Sequence, residues 1–304
     1  MYSYDGLFNL LKAKCIKRSE LAERLGISSR TIAKLAKGEK LARGVLARIC
    51  DYFGCSESDI CMRVCESGVL RALREEKSAR LSGGIYHETQ VRLTYNSNRI
   101  EGSRLSEDQT RFIFETNTVG GADGVPVDDI IETANHFRAI DYVIDCAEEP
   151  LSAGIIKELH RLIKTGTQDS HLSWFKVGEY KTMPNVVGGR ETTPPEKVAD
   201  EMTRLIETYS AIKDVSLKDI VAFHRSFEVI HPFQDGNGRV GRLIAFKECL
   251  RNNIVPFIIE DSKKMFYYRG LKEWDSEPGY LIDTCLDGQD TYRALLDYFR
   301  IKYD

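Results

Sequence analysis

The sequence has no long apolar run. Its residues are 42% hydrophobic, yet the longest apolar stretches, such as Ile254 to Ile259, are short. A membrane-spanning helix needs roughly 20 apolar residues in succession. The first residues, Met1 to Gly6, lack the basic and apolar regions of a secretion signal. Because 29% of the residues are charged, the composition is that of a globular protein. We therefore expect a cytoplasmic protein that has no membrane partner.

Cysteine spacing typical of a metal site is also missing. The eight cysteines include no Cys-x-x-Cys pair and no cysteine and histidine set with zinc-site spacing. Cys61 and Cys65 lie one helical turn apart, which favours packing within a helix over metal binding. We expect free thiols in a reducing compartment.

Charge is distributed unevenly along the chain, although the net charge is only −3. Residues 1–65 hold 12 Lys and Arg against 7 Asp and Glu, whereas the remainder holds 31 against 39. A basic head on an acidic body suggests two domains with different partners, and 304 residues are enough for two. We place a small domain at 1–65, a connecting helix at 66–87 and a larger domain at 88–304.

The small domain has the pattern of several short helices. Ser19 is the expected N-cap of a helix that ends at Gly26, and Ser28 is the expected N-cap of the next helix, which ends at Gly38. Apolar residues are spaced to close one small core: Leu21, Ala22, Leu25, Ile27, Ile32 and Leu35. This segment resembles the Cro/C1-type helix-turn-helix family, and the resemblance covers nearly all of residues 1–65.

That resemblance implies a five-helix domain whose recognition helix lies in the major groove of DNA. The residues expected to reach bases or phosphates are Ser28, Ser29, Arg30 and Lys34. Those expected to add contacts to the DNA backbone are Lys37, Lys40 and Arg43. The alternative is a docking or dimerisation module of the same fold that binds no DNA, and a homodimer is possible.

The most informative stretch runs from His231 to Arg242 and reads HPFQDGNGRVGR. Gly236 and Gly238 let the backbone approach an anion closely. A helix is predicted to begin at Arg239, so the loop delivers a phosphate to a helix N-terminus. Free N–H groups and the helix dipole favour negative charge there.

Two further residue types in this stretch suit a nucleotide. Asp235 is a hard oxygen ligand of the kind that Mg²⁺ takes together with phosphate oxygens. Arg239 and Arg242 share one face of the helix and offer the forked donors that match phosphate oxygens. The stretch therefore predicts a site for a nucleotide and its magnesium ion.

The stretch matches every defined position of the motif His-x-Phe-x-Asp/Glu-Gly-Asn-Gly-Arg-x-x-Arg, and the chain thereby resembles the Fic family. The resemblance implies transfer of AMP from ATP to a Ser, Thr or Tyr hydroxyl of a target protein or of the enzyme itself. It implies that His231 is the general base and that Asp235 holds Mg²⁺. The implied phosphate ligands are Gly236, Asn237, Gly238, Arg239 and Arg242. Phe233 is expected to anchor the loop in the core.

A second motif, Ser97 to Gly102, resembles the inhibitory helix of that family. Ser97 and Glu101 lie four residues apart and hence on one helical face. The resemblance implies that Glu101 pairs with Arg242 and takes the place of the ATP γ-phosphate. Because the motif precedes the catalytic stretch in the same chain, the inhibition would be intramolecular, from a helix at about 91–103.

The remainder of the large domain is predicted to be helical, so the fold class is all-α with one exception. Gly178 to Pro195 reads as a hairpin. In the Fic family such a flap holds the target by strand addition, which implies docking residues Lys181, Thr182, Val186 and Val187. A plain surface loop is the alternative.

The sequence indicates the residues that contact the nucleobase less specifically than those that contact the phosphates. Tyr267 and Tyr268 lie where the family has an aromatic wall, although core packing explains them equally well. His224 is interpreted as structural. Other functions stay open: transfer of a different phosphate-containing group, removal of AMP, or a transcriptional regulator that only senses a nucleotide.

Overall fold

The computed structural model describes residues 2–14, 16–36, 39, 41–63, 68–121 and 124–303. The chain divides into two compact units, Met1–Glu66 and Ser67–Asp304. Most of the described residues are helical, as predicted, and two small two-stranded sheets accompany the helices. Within the described ranges, no helix has the length and apolar character that crossing a membrane requires.

Within its described residues, the first unit contains five helices and one sheet. The helices are α1 (Asp5–Ala13), α2 (Arg18–Leu25), α3 (Ser29–Ala36), α4 (Arg43–Phe53) and α5 (Glu57–Ile60). Strands β1 (Tyr2–Ser3) and β2 (Met62–Arg63) pair antiparallel, with Tyr2 opposite Arg63 and Ser3 opposite Met62. This sheet was not predicted, because its two-residue strands are too short to show an alternating pattern.

The core of the first unit follows the predicted apolar spacing. Leu21, Ile27 and Leu35 are buried, and Leu25 and Ile32 pack against them. Gly26 ends α2 in the left-handed conformation, with a φ of 59°. Ser19 as the N-cap of α2 is wrong, because the helix starts at Arg18 after an extended Lys17. The predicted end of α3 at Gly38 lies outside the described residues.

The second unit is a larger helical bundle with a hairpin. Its helices are α6 (Gly68–Ala79), α7 (Ile85–Ile100), α8 (Glu107–Thr116), α9 (Val127–Asp145), α10 (Ala153–Lys164), α11 (Pro195–Ser210), α12 (Leu217–Ile230), α13 (Asn237–Arg251), α14 (Lys264–Glu273) and α15 (Gly279–Tyr298). Two 3-10 turns cover Gln168–His171 and Asp261–Lys263. The segment predicted as a connecting helix is part of this bundle, because Val69, Leu70 and Leu73 of α6 are buried in its core.

Helix α13 lies at the centre of the second unit. It packs against α7, α9, α10 and α12, and every residue from Arg239 to Leu250 is buried. A helix surrounded on all sides has no solvent face on which charged side chains can be hydrated. The arginines near its N-terminus must therefore find partners inside the protein.

The predicted hairpin is confirmed. Strands β3 (Val186–Val187) and β4 (Arg190–Glu191) pair antiparallel, with Val186 opposite Glu191. The two residues between them, Gly188 and Gly189, both have positive φ angles, 58° and 78°. A two-residue turn with both residues left-handed matches the twist of the flanking strands, and glycine adopts it without strain.

Candidate active site

The stretch from His231 to Gly236 connects α12 to α13 in a fixed shape. Both ends are left-handed, with φ angles of 51° at His231 and 79° at Gly236. A left-handed non-glycine residue costs energy, so its surroundings must hold it in place. Phe233 is fully buried and stacks on His160 with ring centroids 4.0 Å apart, which confirms its predicted role as a core anchor.

Asn237 holds the same loop from the inside. Its Oδ1 accepts from the backbone N–H of Phe233 at 2.8 Å, and its Nδ2 donates to the carbonyl of Phe233 at 2.9 Å. Both polar atoms of this buried side chain thus hold the shape of the loop. An amide nitrogen carries two hydrogens, so the predicted phosphate contact would use the second one.

The N-terminus of α13 provides backbone donors. The N–H of Val240 is the first to bond within the helix, to the carbonyl of Gly236 at 3.0 Å. The N–H groups of the three preceding residues therefore have no acceptor within the helix, as at any helix start. Together with the helix dipole, they favour an anion at this point.

His231 is held as a neutral imidazole. Its Nδ1 lies 3.3 Å from the carbonyl oxygen of Glu228, and a carbonyl only accepts, so Nδ1 carries the hydrogen and Nε2 is the basic nitrogen. Burial lowers the pKa of His231 below its usual value, and the charge of Lys181 lowers it further, against the opposing charges of Glu101 and Asp235.

Asp235 belongs to a network of charges that the sequence did not predict. Lys164, at the end of α10, is 2% exposed, and its Nζ lies 2.7 Å from Asp235 Oδ2, 2.8 Å from Glu132 Oε1 and 3.2 Å from Asp169 Oδ2. Arg239 pairs with Glu132 and, at 3.4 Å, with Asp235 Oδ2. Burial alone would raise the pKa of Asp235, but Arg239 and Lys164 lower it to about 2.

The donor set at Asp235 suits a metal ion that arrives together with phosphate oxygens. Its carboxylate is half-exposed, ionised at neutral pH and adjacent to the N-terminus of α13. No group of three or more His, Cys, Asp or Glu residues suited to a metal occurs within the described ranges. One carboxylate combined with phosphate oxygens is the usual protein ligation of Mg²⁺.

Arg242 and the second sequence motif meet in this structure. The guanidinium of Arg242, 4% exposed, donates from Nη2 to Glu101 Oε1 at 2.7 Å. It also donates from Nε to Ser97 Oγ at 3.0 Å and from Nη2 to the carbonyl of Ser97 at 2.9 Å. Burial would lower the pKa of Arg242, but the charge of Glu101 raises it above its usual value.

Glu101 also occupies space above the phosphate loop. A Cβ placed on Gly238 would collide with Glu101 Oε1, and it would lie 3.0 Å from Arg242 Nη1. Gly238 lies within α13, and its lack of a side chain leaves room for the Glu101 carboxylate in this position. The carboxylate of Glu101 thus lies directly at the N-terminus of α13, where an anion is favoured.

A cavity of about 710 Å³ opens beside this ion pair. It is lined by Glu101, Val187, Gly188, Arg190, Glu191, Thr192, Arg225, Glu228, Val229, Gly238, Arg242, Tyr267, Tyr268, Leu271, Lys272 and Asp275. The second motif, the hairpin and α14 therefore enclose one space, whose volume lies in the range of small-molecule sites.

The two predicted aromatic residues differ in position. Tyr268 is 40% exposed and lines the cavity, and its hydroxyl donates to the carbonyl of Ile100, at the end of α7, at 3.0 Å. Tyr267 is buried, and its hydroxyl lies 2.7 Å from His224 Nε2. Its ring centroid is 5.9 Å from the guanidinium of Arg242. Tyr267 therefore supports Arg242, and the structural interpretation of His224 is confirmed.

Three polar residues of the cavity wall carry no recognisable sequence motif. Arg225 and Asp275 form an ion pair at 2.7 Å. Burial, followed by the nearby charge of Glu101, raises the pKa of Glu228 to about 8. Glu228 is therefore mostly protonated at neutral pH. These residues come from α12 and from the end of α14, and only the tertiary fold brings them together.

Of the four predicted docking residues, three are exposed. Val186 and Val187 are 62% and 46% exposed in β3, and Thr182 lies exposed before it. Lys181 differs from these three, because its side chain is 4% exposed and is directed into the base of the hairpin.

Comparison with known proteins identifies both units. Residues 150–248 match the sequence model of the Fic/DOC family, and residues 7–66 match that of the Cro/C1-type HTH DNA-binding domain. This chain carries a Fic domain and a Cro/C1-type helix-turn-helix domain.

Curated relatives and solved structures agree with this assignment. The protein adenylyltransferase Fic of Drosophila willistoni is 31% identical over 206 residues, which cover 66% of this chain and 38% of the relative. The corresponding protein of Drosophila grimshawi is 30% identical over 206 residues, which cover 66% of this chain and 39% of that relative. The chain thus spans about two-fifths of the length of these relatives.

A solved Fic-domain signaling protein from Bacteroides thetaiotaomicron superposes with a TM-score of 0.57 at 26% identity, over 76% of this chain and 87% of that one. A Fic family protein from Desulfovibrio desulfuricans has a TM-score of 0.58 at 21% identity, over 80% of this chain and 78% of that one. At that lower identity, the second similarity concerns the fold alone.

In the helix-turn-helix domain, the predicted DNA contacts fall around α3. Arg30 is exposed and Lys34 is half-buried. The Ser28 hydroxyl accepts from the N–H of Thr31 at 3.2 Å, which makes it the N-cap of α3. Ser29 is the first residue of that helix. Lys37 and Lys40 lie outside the described residues.

Lys164→Met should destabilise the Fic domain by roughly 2–4 kcal/mol. Removing one partner of a buried pair leaves uncompensated charge, and the loss is moderated here because Asp235 is half-exposed. Urea unfolding followed by tryptophan fluorescence reports on this unit alone, since Trp174 and Trp274 both belong to it. Lys213→Met, on an exposed turn, is the control. Equal midpoints for the two variants would contradict a stabilising role for Lys164.

Proposed function

We propose that the Fic domain is an autoinhibited protein adenylyltransferase. It transfers AMP from ATP to a Ser, Thr or Tyr hydroxyl of a target protein or of itself. The observation that carries this proposal is the placement of a neutral His231, the ionised Asp235 and the N-terminus of α13 on one rigid loop. Relatives named protein adenylyltransferases support the same reaction class.

In the proposed reaction, the target hydroxyl oxygen attacks the α-phosphorus of ATP. The new oxygen–phosphorus bond attaches AMP to the target, the bond from the α-phosphorus to its bridging oxygen breaks, and pyrophosphate leaves. His231 Nε2 takes the hydroxyl proton, since its neutral form prevails at pH 7. The backbone N–H groups at the start of α13 receive the negative charge that develops on the α-phosphate.

The remaining phosphate charge is assigned to the other ionic residues of the loop. Arg239 and Arg242 would bind the β- and γ-phosphates, and Asp235 would hold Mg²⁺. The metal ion, when bound, neutralises phosphate charge and stabilises the leaving pyrophosphate. Arg239 is partnered by Glu132 and Asp235 in the present structure, so it would exchange part of that pairing for a phosphate.

Glu101 is proposed to inhibit this reaction by occupying the γ-phosphate position. Its carboxylate pairs with Arg242 and lies against Gly238, at the N-terminus of α13. An ATP γ-phosphate needs the same guanidinium and carries the same sign of charge. Productive ATP binding and the Glu101–Arg242 pair therefore exclude one another.

His231→Ala should lower AMP transfer by roughly 10²–10⁴-fold, because the target hydroxyl loses its proton acceptor. ATP binding should persist, since the phosphate ligands remain. The measurement uses ATP labelled at the α-phosphate in a Glu101→Gly background, and ATP labelled at the γ-phosphate distinguishes phosphate transfer. His171→Ala, which removes an exposed imidazole, should leave the rate unchanged. Full AMP transfer by His231→Ala would remove His231 from the base role.

Glu101→Gly should convert a nearly inactive enzyme into an active one with tighter ATP binding. The variant frees Arg242 and clears the space beside Gly238. Modification of the protein after incubation with ATP and Mg²⁺ is measured by mass spectrometry, and ATP affinity by calorimetry.

Two further variants separate the causes of that activation. Glu101→Gln keeps the bulk but removes the charge, so it should activate less than glycine does. The double variant Glu101→Gly with Arg242→Ala should lose much of the gain, because the freed guanidinium is its cause. If Glu101→Gly neither binds ATP better nor gains activity, inhibition by Glu101 is refuted.

We also propose that the helix-turn-helix domain binds duplex DNA. The match of residues 7–66 to a DNA-binding domain and the basic excess of residues 1–65 support this proposal. Arg30 on the exposed face of α3 would reach a base edge, since the second helix of such a motif enters the major groove.

Arg30→Ala in the full chain should weaken binding to preferred DNA sequences by roughly 1–3 kcal/mol and should weaken binding to other sequences less. Gel retardation across a range of salt concentrations measures both affinity and salt dependence. Arg71→Ala is the control, because it removes the same charge from an exposed position in the Fic domain. Absence of retardation of any genomic fragment at low salt would favour the docking module over DNA binding.

A further inference from the structure

Lys181 is a buried cation that has no anionic partner among the described residues. It is 4% exposed and lies five residues before β3. Its Nζ donates to Thr192 Oγ1 at 2.5 Å, to Asn185 Oδ1 at 2.7 Å and to the carbonyl of Ile230 at 3.5 Å. All three acceptors are neutral, and a buried charge that lacks a counter-ion is costly. Burial lowers the pKa of Lys181 to about 8, so most of it stays protonated at pH 7.

The same residue lies where the hairpin meets the catalytic loop. The backbone N–H of Lys181 donates to the carbonyl of Pro232 at 2.8 Å. Asn185, at the base of the hairpin, donates from Nδ2 to the carbonyl of Phe233 at 3.2 Å. Together with the contact to Ile230, these bonds attach the hairpin base to residues on both sides of His231.

The charge of Lys181 acts on His231 as well. Apart from burial itself, the groups that influence the pKa of this imidazole are the carbonyl of Glu228 and the charges of Lys181, Glu101 and Asp235. The two carboxylates and the carbonyl favour the imidazolium, whereas Lys181 disfavours it. Among these groups, Lys181 alone works with burial to keep the ring deprotonated.

We propose that Lys181 is a positioning residue that couples the β3–β4 hairpin to His231. Its ammonium joins the hairpin base to the catalytic loop, and its charge keeps the imidazole neutral and ready to accept a proton. The proposal rests on the proposed function insofar as His231 is the base. It accounts for a buried lysine with no carboxylate beside it, since a carboxylate there would cancel the effect on His231.

The test compares three variants of the full chain without nucleotide. Lys181→Met removes the charge and Lys181→Arg keeps it. Asn185→Ala also keeps the charge, while removing the bond to Phe233 and one of the three acceptors of the Lys181 ammonium. The His231 ring is titrated by NMR, and backbone hydrogen exchange is measured across residues 186–191. Both measurements report on the free enzyme and do not depend on AMP transfer.

The expected results separate the effect of the Lys181 charge on His231 from the attachment of the hairpin to the catalytic loop. Lys181→Met should raise the pKa of His231 by about 0.5–1 pH unit, since a nearby positive charge disfavours the imidazolium. It should also speed hairpin exchange. Lys181→Arg should leave the His231 titration close to that of the wild type. Asn185→Ala should speed hairpin exchange while leaving the titration unchanged.

An unchanged His231 titration in Lys181→Met would overturn the proposal, even if the variant were less stable. Should Lys181→Met fail to fold, Asn185→Ala still tests whether the hairpin base is attached to the catalytic loop. Hydrogen exchange in its hairpin at the wild-type rate would refute that attachment. In the Glu101→Gly background, Lys181→Met should shift the acidic limb of the rate profile to higher pH. An enzyme that transfers no AMP would refute the proposed function but leave the titration and exchange results valid.

Discussion

The N-terminus of α13 lies inside the protein, and this one constraint organises the catalytic unit. A buried helix start presents unpaired N–H groups and the positive end of the helix dipole. Arg239 and Arg242 add two full charges beside it, both nearly inaccessible to water. Such a concentration of positive charge needs negative groups nearby, and the protein supplies them from three other elements.

Those negative groups satisfy the positive charge within the protein itself. Glu132 of α9 and Asp235 of the loop partner Arg239, while Glu101 at the end of α7 partners Arg242. Under the proposed function, these ion pairs are the ones that a triphosphate must replace. Under the proposed function, stability of the resting state and inhibition arise from the same contacts, so relieving the inhibition also costs some stability.

The parts of this site that lie close together in the sequence were predictable, and the parts that the fold assembles were not. The loop from His231 to Arg242 is contiguous, so its residue types indicate phosphate chemistry directly. Glu101 was assigned only through resemblance, because an isolated Glu four residues after a serine is common on helices. Lys164 and Glu228 were missed, since no local pattern shows that separate helices bring them to the loop.

Two residues within the recognised segments make further contacts that were missed for a related reason. Sequence establishes that Asn237 and Lys181 belong to the site, but the direction of a side chain depends on which neighbours need a donor or an acceptor. Asn237 satisfies the backbone of Phe233, and Lys181 satisfies neutral oxygens beneath the hairpin. The fold as a whole was more predictable, because helix caps, glycine turns and apolar spacing act locally.

The shortness of the hairpin has a consequence for selectivity. Each strand has two residues, and β3 presents only Val186 and Val187 with exposed side chains. A peptide added to so short an edge gains few backbone bonds, each worth about 1 kcal/mol. A peptide bound to this edge would then dissociate quickly, and its amino-acid sequence would have little influence on binding. Under the proposed function, local concentration would then decide which hydroxyl is modified, which favours groups tethered to the protein over free proteins at low abundance.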